Sequence, residues 1–238
     1  MAERPGVARR DRADRILDTA RGLLLAWGYR RVTIDELARR AGVGKGTIYL
    51  HWRSREEVFH AVSAREAAEM ADAIVDAVHH DPAEVALHRY LRRLFVEAMN
   101  RPVLRALYTR DADTLGTFLA AAHHHQLEES KLGVNRDYLG VLAAQGMLRP
   151  DLNLMDLDYT LPTIVFGFFA AEPFHPPAIN LTLEQKADQL ADTIRRAFEP
   201  TKAPSSDAVK RAANKALPIL ERLARDHRAA TYGGDHDD

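Results

Sequence analysis

The chain has 238 residues, of which 46% are hydrophobic and 28% charged, and its formal net charge is -1. These values are ordinary for a globular protein, and the lack of cysteine excludes disulfides, thiol catalysis and thiolate metal sites. No apolar run approaches the roughly 18 residues that a membrane span needs, and the N-terminus lacks a signal-peptide core, so we expect a cytoplasmic protein without membrane contact.

The charge is unevenly distributed along the chain. Residues 1–60 contain 13 Lys or Arg against 8 Asp or Glu, so the rest of the chain is acidic. A local excess of positive charge is the electrostatic footprint of a module that binds nucleic acid. We therefore expect any nucleic-acid-binding function to lie near the N-terminus.

The N-terminal stretch predicts a disordered start and then a helix. Residues 1–8 contain a proline and a glycine that oppose helix formation, so we expect disorder there. Residues 11–27 have apolar side chains at helical spacing, and Gly28 marks the helix end. Four cations cluster at the helix start, where the helix dipole disfavours them, so phosphate contact and a solvated basic tail both remain open: Arg9, Arg10, Arg12 and Arg15.

Residues 32–52 predict two short helices joined by a sharp turn. Thr33 and Glu36 have the spacing of a capping box, so the first helix begins at Ile34. Gly42 can take a positive φ just past its end, and a second helix begins at about Lys45.

The second helix carries Ile48 and Trp52 inward and leaves a small, polar, basic outer face. Two short helices joined by such a turn form the helix-turn-helix, whose second helix enters the DNA major groove. An ordinary helical hairpin inside a core is the alternative, but it gives no reason for so many cations on the outer face.

Three consecutive segments resemble the DNA-binding domain of TetR-type repressors: Thr-Ile-Asp-Glu-Leu-Ala at 33–38, Ala-Gly-Val-Gly-Lys-Gly-Thr-Ile-Tyr-Leu-His-Trp at 41–52, and Arg-Ser-Arg-Glu-Glu-Val-Phe at 53–59. The resemblance covers about the first seventy residues. It implies an all-α homodimer that binds a palindromic operator in double-stranded DNA. Release would follow when a small-molecule effector enters the C-terminal domain.

Matching the family motif residue by residue implies the DNA contacts. Lys45, Thr47 and the Gly46 backbone would reach toward bases. Thr33, Tyr49, His51 and Arg55 would hold phosphates, and Gly44 is a further matched position of the DNA-binding surface. Leu50 stands where relatives often have an aromatic residue, so its role is open.

Beyond this region the pattern predicts further helices and no strand, which indicates an all-α bundle. We expect a TetR-like organisation with a helix-turn-helix domain at 9–69, a helical ligand-binding and dimerisation domain at 70–199, and a linker, an amphipathic helix and a disordered tail at 200–238. By the resemblance, residues 157–171 and 183–198 are candidates for a four-helix dimer interface. A long helix after Ser54 would connect the DNA-binding domain to the effector domain.

Other chemistries fit the sequence poorly. The glycines around Lys45 do not match a nucleotide-binding P-loop, and the histidines at 79–80 and 123–125 are adjacent, so neither group can chelate one ion alone. We expect no cofactor, no metal and no enzymatic activity. The alternatives to a ligand-responsive repressor are a ligand-independent activator or nucleoid-associated protein, and, less favoured, a nucleotide-binding enzyme.

An effector pocket would be lined by aromatic and polar side chains of the bundle, none of which we assign as a contact: Tyr90, Phe95, Met99, Tyr108, Phe118, His123, Tyr138, Phe166 and Phe169.

Overall fold

The computed structural model describes residues 5–118, 125–171, 174, 176 and 178–232, and this part of the chain is helical without strands. The prediction of an all-α fold is confirmed. None of the described helices combines the length and the apolar character needed to cross a membrane. The described α-helices are α1 (Pro5–Trp27), α2 (Ile34–Ala41), α3 (Lys45–Tyr49), α4 (Arg55–His80), α5 (Leu87–Asn100), α6 (Pro102–Tyr108), α7 (Ala112–Leu115), α8 (His125–Ala144), α9 (Leu154–Ala170), α10 (Leu183–Phe198) and α11 (Ser206–Thr231).

The start of α1 and the interior of α8 differ from the sequence prediction. Helix α1 already begins at Pro5, because proline is tolerated in a first turn whose N–H groups have no helical partner. The spacing of residues 125–144 also predicts that Gly133 interrupts a helix, but α8 runs through it, since a single internal glycine costs a helix only about 1 kcal/mol. Because α1 begins at Pro5, the predicted disorder of residues 1–8 is wrong for residues 5–8, and of the tail predicted to be disordered at 231–238, Thr231 still belongs to α11. Residues 1–4, residues 233–238 and the histidines at 123–124 lie outside the described residues.

By its internal contacts the chain divides into two compact units. Of the described residues, the headpiece unit contains 5–68, 102–118 and 225–232. The bundle unit contains the described residues of 69–101 and 125–224. Helices α4 and α11 each have one end in the first unit and the other end in the second.

The core of the headpiece unit is built from both the N-terminal helices and the later helices α6 and α7. The Tyr29 ring lies 5.2 Å from Phe59 and 5.3 Å from Phe118. Gly28 has a φ of 75°, and a Cβ there would lie 2.7 Å from the Asp113 carbonyl oxygen, so only glycine fits this approach. The N-terminal helices are thus packed against a segment that is distant in sequence.

In the bundle unit, α10 packs along α5 through its apolar stripe. The buried stripe residues are Ala187, Leu190, Ala191 and Ile194. The same pair is joined by an ion pair of 2.6 Å between Arg92 and Asp188. Residues 183–198 are a dimer-interface candidate by the resemblance, but the apolar side of α10 is covered within the chain, and α10 turns a polar face outward.

Candidate nucleic-acid interface

The cap and the turn of the predicted helix-turn-helix are present. The Thr33 hydroxyl accepts a hydrogen bond of 3.2 Å from the Glu36 N–H, so α2 starts at Ile34. Gly42 ends α2 in the left-handed region at a φ of 67°. The Val43 N–H also returns to the Ala38 carbonyl, at 3.0 Å, which closes the turn before α3.

Helix α3 is anchored by its inner face. Ile48 and Trp52 are 0% and 2% exposed. The Trp52 N–H donates to the Ile48 carbonyl at 2.9 Å, so the backbone past α3 stays coiled. The opposite face of α3 is consequently held outward by the core beneath it.

The outward face of α3 carries the residues that the motif assigned to DNA. Gly44, Lys45, Gly46 and Tyr49 are exposed, and Thr47 is half-buried. The Lys45 ammonium forms an ion pair with the Asp35 carboxylate of α2. Leu50 is 74% exposed just after the helix, so an apolar side chain borders this polar face.

Gly46 has no packing reason to be glycine. Its backbone is helical, and a Cβ built on it meets no heavy atom within 4 Å. The free protein thus leaves an open, side-chain-free surface in the middle of the outward face of α3.

His51 lies half-buried beside Trp52, with the ring centroids 5.2 Å apart. Burial lowers the pKa of His51, and the positive charges of Arg9 and Arg12 lower it further. Burial and these charges therefore favour the neutral form of the imidazole. Arg9 and Arg12, at the start of α1, thus add positive potential at His51, next to the end of α3.

Arg55 already has partners within the headpiece unit. Its guanidinium donates to the Val32 carbonyl at 3.1 Å and lies 4.2 Å from the centre of the Tyr29 ring. Tyr29 in turn donates to the Glu56 carboxylate at 2.7 Å. Arg55 thus ties the start of α4 to the chain before α2, and its phosphate contact stays a prediction.

Glu66 is a structural residue that the sequence analysis missed. It is 2% exposed, and its carboxylate accepts from the Arg21 guanidinium at 2.7 Å. It also accepts from the first N–H groups of α6, those of Val103 at 3.0 Å and Leu104 at 3.1 Å. This carboxylate joins α1, α4 and α6, and no local pattern could have revealed a partner 37 residues away.

Four aromatic residues considered for an effector pocket are buried in the bundle unit. Tyr90 and Tyr138 have ring centroids 4.7 Å apart, and Phe95 and Phe169 have theirs 4.8 Å apart. A surface groove of about 500 Å³ lies between α5 and α10 and has a mostly charged lining. It is open to solvent, unlike the enclosed apolar site expected for an effector.

Comparison with known proteins identifies the N-terminal module. Residues 16–62 match the family described as bacterial regulatory proteins, tetR family. The HTH-type transcriptional regulator SrpR of Pseudomonas putida is 25% identical over 215 residues, which cover 80% of this chain and 98% of SrpR.

Solved structures share the fold. The fatty acid degradation regulator FadR from Bacillus halodurans gives a TM-score of 0.59 at 16% identity, covering 82% of this chain and 96% of FadR. A transcriptional regulator from Saccharomonospora viridis, solved in complex with choline, gives 0.53 at 19% identity and covers 82% of this chain and 99% of its own. The match over residues 16–62 and the outward-facing α3 identify the N-terminal module as similar to that of TetR-family proteins, and the chain is a DNA-binding transcriptional regulator.

Proposed function

We propose that this regulator is a homodimeric repressor that binds a palindromic operator and is released by a small-molecule effector. The observation that carries the proposal is the outward face of α3, where Lys45, Gly46, Thr47 and Tyr49 are held toward solvent by the buried Ile48 and Trp52. A short helix with a cationic, small-residue outer face fits the major groove.

The contacts divide into two classes. Lys45 donates to base-edge acceptors, Thr47 hydrogen-bonds a base, and the bare backbone at Gly46 lets α3 approach the base edges closely. Thr33, Tyr49, His51 and Arg55 hold phosphates, and Gly44 keeps the entry to α3 free of a side chain. The positive start of α1 near His51 supports a phosphate backbone passing this end of the helix.

The proposed dimer surface is the outward face of α9. Met155 is 74% exposed, Tyr159 is 77% exposed and Phe166 is 41% exposed, and the three lie along one side of the helix. Large exposed apolar side chains grouped on one helix face mark an interaction surface. A second copy of the chain would cover this face and present a second α3 one helical turn of DNA away, about 34 Å.

The proposed effector is a small molecule bound in the bundle unit. The Saccharomonospora viridis neighbour was solved with choline, which is the support for ligand binding within this fold. The effector would bind preferentially to a dimer conformation whose two α3 helices cannot reach both operator half-sites, and so would release the operator. The coupling free energy between the effector site and the DNA-binding surface would be about 1–3 kcal/mol. Operator must then weaken effector binding by the same factor.

Selection of bound fragments from random double-stranded DNA tests the proposal. The expected result is an inverted repeat whose half-sites are spaced by about 10 base pairs or a multiple. Compounds are then screened for release of the selected fragment, and the affinity of any active compound is measured with and without DNA. Equal enrichment of all fragments would favour the nucleoid-associated alternative, and an effector affinity indifferent to operator would overturn the release mechanism.

A further inference from the structure

The last described residues of the chain belong to the headpiece unit, although they are distant from it in sequence. Near the end of α11, His227 and Thr231 are 4% and 1% exposed, while the residues between them are exposed. Residues four apart lie on one side of a helix, so one face of the α11 end is packed. The last turns of α11 are thus part of the headpiece unit.

The end of α11 contacts Trp52, the residue that anchors α3. The indole N–H of Trp52 donates to the Thr231 carbonyl at 3.3 Å in a buried environment. The acceptor is a backbone carbonyl, so the bond is lost when the end of α11 moves away. The buried indole N–H would then lack a partner, which costs free energy in a nonpolar site. Because Trp52 lies three residues after the end of α3 and packs beneath it, the position of Thr231 bears on the position of α3.

A second contact reaches the cationic end of α1. The Tyr232 hydroxyl donates to the Asp14 carboxylate at 2.8 Å. The Arg10 guanidinium lies 4.6 Å from the centre of the Tyr232 ring, and the ring packs against the headpiece core. Tyr232 therefore fixes the turns of α1 that carry its positive charge.

We propose that Thr231 and Tyr232 are positioning residues for DNA binding, which act by fixing Trp52 and the start of α1. The inference rests on the proposed contact of α3 with DNA. Without these contacts the headpiece would spend time in arrangements that do not fit the groove. The apparent affinity is the intrinsic affinity multiplied by the fraction of molecules in the competent arrangement. Once the complex forms, every phosphate contact is still made.

The test compares full-length variants on the selected operator. Tyr232→Ala removes the ring and the hydroxyl, Tyr232→Phe removes the hydroxyl alone, and Ala230→Ser is the control at an exposed neighbouring position. Affinity is measured at several salt concentrations. A Trp27→Phe background leaves Trp52 as the sole tryptophan, so its fluorescence reports the headpiece without DNA.

We expect Tyr232→Ala to weaken operator binding about tenfold, equivalent to about 1.4 kcal/mol, and Tyr232→Phe to have a smaller effect. The slope of log affinity against log salt should stay unchanged, whereas loss of a direct phosphate contact would reduce it by about 0.9. The Trp52 emission should shift to longer wavelength in Tyr232→Ala. Ala230→Ser should match the wild type in both measurements.

Wild-type operator affinity in Tyr232→Ala overturns the inference, whether or not the Trp52 emission has shifted. A reduced salt slope in Tyr232→Ala also overturns it. If Tyr232→Ala does not fold, wild-type affinity of Tyr232→Phe overturns it in the same way. A wild-type protein that binds no selected fragment instead refutes the proposed function.

Discussion

Gly46→Ala separates the folding of the headpiece from its binding to DNA. In the free protein the added methyl group meets no atom within 4 Å. Alanine is favoured over glycine in a helix by about 0.5–1 kcal/mol, so the variant should be at least as stable as the wild type. For a chain of this size, that gain raises the unfolding midpoint by about 1–4 °C.

In the complex the same methyl group has the opposite effect. If the Gly46 backbone lies against the base edges, a carbon needs about 3.5–4.0 Å where a hydrogen-bonded backbone atom sits at about 2.9 Å. The helix must then move out by several tenths of an ångström to 1 Å, which loosens the hydrogen bonds of Lys45 and Thr47 together. We expect operator affinity to fall at least about tenfold, the effect of losing about 1.4 kcal/mol.

The assay is operator binding by fluorescence anisotropy together with thermal unfolding of the same preparations. Gly22→Ala is the matched control, because Gly22 is also an exposed helical glycine whose added methyl meets nothing within 4 Å. It should gain similar stability and keep full affinity. If Gly46→Ala binds the operator as tightly as Gly22→Ala, the Gly46 surface does not face DNA and the reasoning is refuted.

Further variants test the headpiece. Glu66→Ala removes a buried carboxylate that pairs with the half-exposed Arg21, and it leaves the buried N–H groups of Val103 and Leu104 without an acceptor. It should lower the free energy of unfolding by about 1–3 kcal/mol in urea titration; a loss below about 0.5 kcal/mol would contradict the role of this carboxylate. Asp35→Asn frees Lys45 from an exposed ion pair and should tighten operator binding up to about fivefold at low salt, with a smaller gain at high salt. Because the folded-state pKa of His51 is below its ordinary 6.5, its contribution to stability is present above pH 6.5 and is lost as pH falls through the folded-state pKa. His51→Gln should reduce this acid-side loss in urea titrations at pH 7.5 and 5.5, and an unchanged loss would contradict it.

The parts of the site that were predictable depend on residues close in sequence. The capping bond from Glu36 to Thr33 spans three residues, and the left-handed cap at Gly42 needs only its own backbone. Ile48 and Trp52 are four residues apart and both are buried, so they define the inner side of this segment. Lys45 and Tyr49 therefore lie on its exposed side. Such local relations determine helix ends and faces directly.

The parts that were not predictable depend on distant partners. Periodicity showed that α10 has an apolar stripe, but it does not say whether α5 of the same chain or a second copy covers that stripe. Phe118 packing on Tyr29, and Tyr232 bonding to Asp14, join residues that no spacing rule connects. The headpiece core thus contains segments that an N-terminal motif cannot indicate.

The affinity of Lys45→Ala and Tyr49→Ala for the selected operator tests the central claim most directly. Both side chains are exposed, so the variants should keep the fold and the oligomeric state of the wild type. The account predicts that specific operator binding is lost in each. Wild-type affinity in both variants would contradict the assignment of the outward face of α3 to DNA.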